Sequence, residues 1–457
     1  MSENTKNITV AYIGGGSMNF GWRFIGELCQ EECFSGTVRL FDNDKKLALA
    51  NEVIANKTRE LPDSKTQMIF IAVDTLEEAL RDADFVIISV SAGTAEEHIT
   101  DIQLPELYGI YQAAGDNSGP GGIIRALRTI PLYINYAEKI RELCPEAWVV
   151  SLSEPMSACI KTLYKAFPKI KAFGCSNDIF QTQELFTDFL SENTGAFSLS
   201  RREIKTNILG INKFCWISEA LYNGESLFDI YADNARKYAD DGYEKKKLDY
   251  KSNPFACAHK VKFDLLLRYG LIAASSDRYL ADSCPPWYLS SPRNASSWKL
   301  GMMSPAYIKK RRADRIAKCR KLINGDEFLR IGYSGTECIS QIKAISGMNN
   351  LITNAITINT GQITNISQGS AVETNALFSK NSVRPVFAGL VPEDISALLN
   401  RQVQNTDMLV DAIFARDLDS VFNVFLNDPL VTLDLNRSAE LYKQLLSVNK
   451  AHMIYYC

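Results

Sequence analysis

Ile8-Thr9-Val10-Ala11-Tyr12-Ile13-Gly14-Gly15-Gly16-Ser17 decides the architecture: a short run rich in branched apolar residues hands over to three successive glycines. Beyond it, Trp22 to Cys29 carries apolar residues at helical spacing, and Thr37 to Phe41 is a second apolar run that closes on Asp42. Strand, glycine turn, helix and strand in that order make a βαβ unit. Apolar runs at Phe85 to Val90, Trp148 to Leu152 and Ile170 to Phe173 continue the alternation with helical patterns, one of them opened by a capping box from Thr75 to Glu78. This alternation predicts an α/β fold built on a Rossmann-like, doubly wound parallel sheet.

The glycines have a chemical reading. At the start of a helix they let backbone amides approach a pyrophosphate closely, so Gly14, Gly15, Gly16, Ser17, Met18 and Asn19, with Ser89 after a later strand, are the expected cofactor contacts. Asp42 stands where a carboxylate accepts hydrogen bonds from the adenosine ribose, and its charge would repel a 2′-phosphate. NAD is therefore expected over NADP. Asn19 departs from the usual third glycine, and the competing reading is a glycine turn that holds no ligand.

The 457 residues exceed what one core usually organises, which favours a dinucleotide lobe over residues 1–178 and an α+β lobe over residues 179–457. Strand signals in the second lobe fall at Ile204 to Ile211 and Asn354 to Ile366. Charge runs at Glu244 to Lys251 and Lys309 to Arg320 read as solvated helical faces. A net charge of -3 without a basic block argues against nucleic acid, and no apolar run is long enough for a membrane partner. The polar start from Met1 to Asn7 leaves no room for a signal peptide, so a cytoplasmic location is expected. Eleven cysteines without a CxxC spacing read as reduced thiols, and His98 and His259 read as structural.

Several separated motifs then share one order with a known family. They are the glycine turn, Gly109-Ile110-Tyr111-Gln112 with Gly115-Asp116 and Gly119-Pro120-Gly121-Gly122-Ile123, and Glu154-Pro155-Met156-Ser157. Gly210-Ile211-Asn212-Lys213-Phe214, Asp277-Arg278-Tyr279-Leu280-Ala281, Val372-Glu373-Thr374-Asn375 and Asn427-Asp428-Pro429-Leu430 follow. In these the chain resembles the NAD-dependent family 4 glycoside hydrolases, most closely the branch acting on α-linked uronides. The resemblance implies a lactate/malate-dehydrogenase-like architecture, a homodimer or homotetramer, and a small glycoside substrate. It also implies an exception to paired-carboxylate hydrolysis. NAD takes hydride from the sugar C3, the ketone acidifies the C2 proton, a base removes it, the glycosidic oxygen is eliminated, water adds, and the ketone is reduced.

The family holds a divalent metal, commonly manganese, with a Cys and two His, and here those positions differ. Ser176 and Asn177 stand in the place of Cys-His, with Cys175 recoverable only by a shift of one. Lys213 replaces a ligand histidine, Tyr279 the histidine of Asp-Arg-His, and Glu154 the asparagine of Asn-Pro. A protonated amine has no lone pair to give, so no metal is expected. The candidate catalytic set is Asp116, Glu154, Lys213, Asp277 and Tyr279. Lys213 would stabilise the oxyanion, Glu154 would orient it or shuttle a proton, Asp277 or Tyr279 would remove the C2 proton, and Asp116 would contact a hydroxyl or protonate the leaving oxygen. Asn117, Arg125, Asn177 and Asn212 are expected to contact the substrate. Rival expectations are a sugar dehydrogenase or epimerase, which would accumulate NADH, and an inert NAD- or sugar-binding relative in which Glu154 and Lys213 are only a salt bridge.

Overall fold

A computed structural model describes residues 5–195 and 199–456; residues 1–4 of the polar start, and Cys457 among the eleven cysteines, lie outside that range. The first strand, β1 (Lys6–Ile13), is buried on both faces. Ile8, Val10 and Tyr12 enter one apolar layer while Ala11 and Ile13 enter the other. A strand with no solvated face belongs in the middle of a parallel sheet.

β1 lies between β2 (Phe34–Phe41) and β4 (Phe85–Ile88). β3 (Gln67–Ala72) completes one edge, and β5 (Trp148–Ser151) and β6 (Lys171–Gly174) extend the other. The spatial order β3-β2-β1-β4-β5-β6, all parallel, is the doubly wound arrangement expected.

The second half does not form a separate sheet. β7 (Lys205–Ile211), β8 (Phe214–Tyr222), β9 (Glu225–Ser226), β10 (Ile272–Ala273), β11 (Leu351–Ile358), β12 (Ala371–Ser379) and β13 (Ser382–Pro385) add antiparallel strands. They continue the same 13-stranded sheet through a β6–β11 pairing at Gly174 and Ile356. The strand expected over Asn354 to Ile366 stops at Ile358. There the Asn359 amide donates to the carbonyls of Ile363 and Ile366, diverting the chain into a loop. Glu244 to Lys251 is not helical: the Glu244 carboxylate pairs with Lys299 and accepts from the Leu248 amide, a local bond that competes with helix.

The carboxyl ends of β1, β4, β5 and β6 all open on one side. The loops that leave them carry Gly14, Ser89, Glu154 and the segment 175–178, the place where open α/β sheets bind ligands. Among the described residues no helix is long and apolar enough to cross a membrane.

Candidate active site

The glycine turn begins where β1 ends. Gly14 has φ +89°, and a Cβ there would sit 2.2 Å from the Ser89 carbonyl oxygen; at Gly16 it would meet the Leu47 Cβ at 2.5 Å. Both positions exclude a side chain. In the following helix, Phe20–Leu28, Asn19 stands at the N-cap without a side-chain bond to the helix and Ser17 takes only the Gly21 amide, at 3.3 Å, so that among the described residues the Phe20 and Trp22 amides are left for an anion. Asp42 accepts from the Gly16 amide at 2.9 Å through one carboxylate oxygen and from the Asp44 amide at 2.9 Å through the other. Burial raises its pKa, and these backbone bonds oppose the rise. Asn51 was not foreseen. Its buried side chain donates to the Gly15 and Ser17 carbonyls at 2.7 and 3.2 Å and accepts from the Trp22 indole at 2.8 Å, fastening the turn to the helix Lys45–Arg59.

A cavity of about 1030 Å³ runs from this turn, past Met18, Asp42 and Ser89, to Asp116 and Arg125. The turn, the uncapped helix start and the carboxylate at the end of β2 therefore fit a dinucleotide.

At the far end, Lys213 is the pivot. Asn212 and Lys213 form the two-residue turn between β7 and β8, with φ +51° and +65°, the left-handed pair a tight hairpin requires. For lysine this backbone costs on the order of 1 kcal/mol. The turn places its ammonium 2.6 Å from Glu154 and 3.2 Å from Asp178, all three side chains between 11 and 17% exposed. The same nitrogen lies 4.1 Å from the centre of the Tyr279 ring. The Tyr279 hydroxyl is directed at Asp116 at 3.5 Å. Four of the five predicted catalytic residues thus converge. Asp178, quoted in the sequence but given no role, joins them because the loop after β6 faces the hairpin turn.

Electrostatics separates the carboxylates. Burial would raise Asp116, but Lys213, Arg125 and Arg278 outweigh it and hold the group below its ordinary value, so it is ionised. Glu154 is pushed up to about 7, chiefly by burial, with Asp116 and Asp178 reinforcing the rise against Lys213. Burial works against the Lys213 charge, yet Asp178, Glu154 and Asp116 hold it protonated far beyond neutral pH. Burial likewise keeps the Tyr279 phenol protonated.

Asp277 is a correction. Residues two apart on a helix do not share a face, and Asp277 points away from Tyr279 to accept from the Val261 and Lys262 amides at 3.2 and 3.3 Å. It caps the helix Lys260–Tyr269 and is not a base for the sugar. Two expected substrate contacts are also spent on backbone. Asn177 donates to the Gly335 carbonyl at 3.3 Å. Asn212 donates to the Asn117 carbonyl at 3.2 Å and lies 3.5 Å from the Ser157 amide, tying the hairpin turn to the Asp116 loop. Arg125 stays at the cavity, touching His98 at 3.1 Å, and among the described residues the buried Nε atoms of Arg125 and Arg278 and Oδ1 of Asn117 have no hydrogen-bond partner. Asp282, also unforeseen, accepts from the amides of Ala113, Ala114 and Gly115 at 2.6, 2.9 and 2.8 Å and so fixes the loop that presents Asp116.

The residues do not fit the family's metal. Cys175 is buried in the apolar layer with Val150 and Phe173, its thiol pushed up to about 12, and a protonated amine fills the centre of the carboxylate group. Among the described residues no group of three His, Cys, Asp or Glu side chains could hold a metal ion. His98 and His259 are held neutral, at about 4 and about 3, by burial and neighbouring cations.

A doubly wound sheet whose strand ends carry a glycine turn fit for a dinucleotide and, beside the same cleft, a buried charge cluster is the frame of a class: glycosidases built on a Rossmann-type fold. Residues 9–192 match the family 4 glycosyl hydrolases and residues 208–431 match the family 4 glycosyl hydrolase C-terminal domain. The chain belongs to this family. It is 43% identical over 449 residues to an alpha-galacturonidase of Thermoanaerobacterium saccharolyticum, covering 98% of this chain and 97% of the relative. The crystal structure of the Bacillus subtilis protein lplD superposes with a TM-score of 0.92 at 38% identity, covering 96% of this chain and 100% of that one. A 6-phospho-alpha-glucosidase from gut microorganisms, solved with NAD and Mn2+, shares the fold with a TM-score of 0.80 at 20% identity, covering 98% and 99%.

Proposed function

We propose that this protein is an NAD-dependent glycosidase that cleaves an α-linked uronide of the α-galacturonide type through transient oxidation at C3, without a divalent metal. The observation that carries the reading is the Lys213 ammonium, fixed between Glu154 and Asp178 beside Tyr279 and close to Asp116, which borders the cavity. The alpha-galacturonidase named above supports the substrate class.

NAD, when bound, supplies a reversible hydride acceptor for the sugar. Asp42 would hold its ribose, and the turn from Gly14 to Asn19 would hold its pyrophosphate. At the sugar, the free Nε donors of Arg125 and Arg278 suit a uronate carboxylate or ring hydroxyls. Asp116, ionised at rest, accepts a hydrogen bond from a substrate hydroxyl instead of donating a proton. Removal of the C2 proton puts negative charge on the neighbouring oxygen, and Lys213 is the fixed positive charge that faces it. Glu154, poised near neutrality, takes and returns the proton. Tyr279, protonated, orients Asp116. Residues 1–178 are assigned as the cofactor lobe, which also lends Asp116, Arg125, Glu154 and Asp178 to the sugar, and residues 179–457 as the lobe that supplies Lys213 and Tyr279 and self-association as a homodimer or homotetramer, in the cytoplasm.

A second reading has one observation behind it. Both Glu154 and Asp178 are already engaged by Lys213, as they would be in an inert relative held together by a buried ion pair. One experiment decides. Incubation of α-galacturonides with protein and NAD in deuterated water, with and without chelator, should release sugar bearing deuterium at C2 at a rate the chelator does not change. No exchange would favour the inert reading. Loss of activity to chelator with recovery on adding manganese would overturn metal independence, and accumulating NADH would indicate a dehydrogenase.

A further inference from the structure

The charge run from Lys309 to Arg320 is not a uniformly solvated face. It lies in the helix Pro305–Asn324, which crosses the open side of the dinucleotide cleft. The helix packs against Lys45–Arg59 on one side of the glycine turn and against Ala95–Leu107 on the other. Its placement is held by side chains: Arg312 reaches Glu96 at 3.9 Å, Lys318 lies 5.8 Å from the centre of the Trp22 ring, and Lys57 donates to the Ile323 carbonyl.

Ile308, Arg311, Arg312 and Arg315 share one side of this helix by their spacing, and all four line the cavity that contains Gly14, Gly16 and Ser17. Lys309 and Lys310 are exposed, whereas Arg311 and Arg315 are half-buried. Arg23, in the helix that begins at the glycine turn, is near enough for its charge to act on both. Among the described residues no carboxylate pairs with Arg23, Arg311 or Arg315. Burial, with repulsion from Arg311 and Arg23, pushes Arg315 down to about 10, and burial, with repulsion from Arg278 and Arg23, lowers Arg311 as well. Half-buried guanidinium groups crowded together without an anion are what an oxyanion ligand would relieve.

We propose that Arg311 and Arg315 form a clamp that closes on the dinucleotide's pyrophosphate from the side opposite the glycine turn. The second half of the chain then contributes directly to cofactor binding. This rests on the NAD reading above, because it assigns the charge to that ligand. The alternative anion in the same cleft is the uronate carboxylate, which Arg125 and Arg278 already serve at the Asp116 end.

The test is a titration of the full-length protein, followed by calorimetry, with ADP-ribose, adenosine and galacturonate in turn. Arg315→Ala should weaken ADP-ribose about tenfold or more, with Arg315→Lys between it and the parent, as expected for losing a charge-assisted contact. Adenosine, which lacks phosphate, should bind all three proteins alike, and raising salt should cost the parent more ADP-ribose affinity than it costs Arg315→Ala. Lys310→Ala, on the same helix but exposed and outside the cavity lining, should leave ADP-ribose binding within about twofold as a control for the fold and for helix charge. Equal ADP-ribose affinity in the parent and Arg315→Ala would overturn the clamp while leaving the NAD reading intact. Loss of galacturonate binding with ADP-ribose retained would overturn it in favour of the sugar carboxylate. A parent protein that bound neither NAD nor ADP-ribose would take down the NAD reading and the clamp together.

Discussion

The two ends of the cleft are built from different materials. The nucleotide end is backbone: glycines that keep Cβ atoms away, uncapped amides, and one carboxylate fixed by two further amides. The sugar end is side chain: an ammonium, three carboxylates and a phenol, delivered by five separate segments of chain. A backbone site depends on local conformation and fails by steric collision. A charge cluster depends on balance and fails when one member is removed, because the others are left buried without compensation.

Lys213→Ala should have the largest effect. It strands Glu154 and Asp178, and we expect a loss of about 3 kcal/mol in unfolding free energy, the lower end for a buried pair because the side chains keep 11 to 17% exposure. C2 exchange should fall about a hundredfold to a thousandfold, as for loss of an oxyanion partner. Denaturant melts and exchange rates read the two effects separately, and an active, stable variant would break the contrast.

Gly14→Ala tests the backbone end. With φ +89° and a carbonyl oxygen 2.2 Å from the new Cβ, NAD affinity should drop about a hundredfold, near the upper end of the roughly 1–3 kcal/mol of local strain. Fluorescence titration measures it, and the pH behaviour of the sugar end should be unchanged.

Next is the proton on Glu154. Its pKa is raised in the folded state to about 7, so its contribution to stability is fully present below its ordinary value near 4.5 and is lost as pH rises through 7. Relative to Glu154→Gln, the parent should therefore lose stability between those limits, and its activity profile should show a limb near 7 that the variant lacks. Parallel stability curves for the two proteins would remove Glu154 as the titrating group. The smallest effect is expected from Asp42→Asn, which should narrow the preference for NAD over NADP by about fivefold to tenfold by removing one repulsive charge. Competition binding with the two dinucleotides checks this.

The same contrast explains what could be read from the chain. Ile8 to Asp42 was legible because strand period, glycine turn and terminal acid are local signals. Glu154, Lys213 and Tyr279 were found only as altered positions in a family pattern. Asp178 was missed because its role exists only once the β7–β8 hairpin turns towards it. Asp277 was misassigned because adjacency in sequence conceals a helical reversal of direction. Asn51 and Asp282 carried no local signal, since each acts on backbone far along the chain. The continuation of one sheet through β6 and β11 was hidden because antiparallel additions leave no mark in the parallel half.

The reversal at Asn212 and Lys213 has a consequence for how this branch can vary. Because the amine rides on a loop of minimum length, its address is written first in the register of two paired strands, with the Asn212 bond to the Asp116 loop holding the corner in place. Adding or deleting one residue there would rotate the tip and send the amine elsewhere with the rest of the barrel of contacts intact. Natural drift at this corner should therefore proceed by exchange of residue type at fixed length, which is the kind of change that turns a histidine into a lysine.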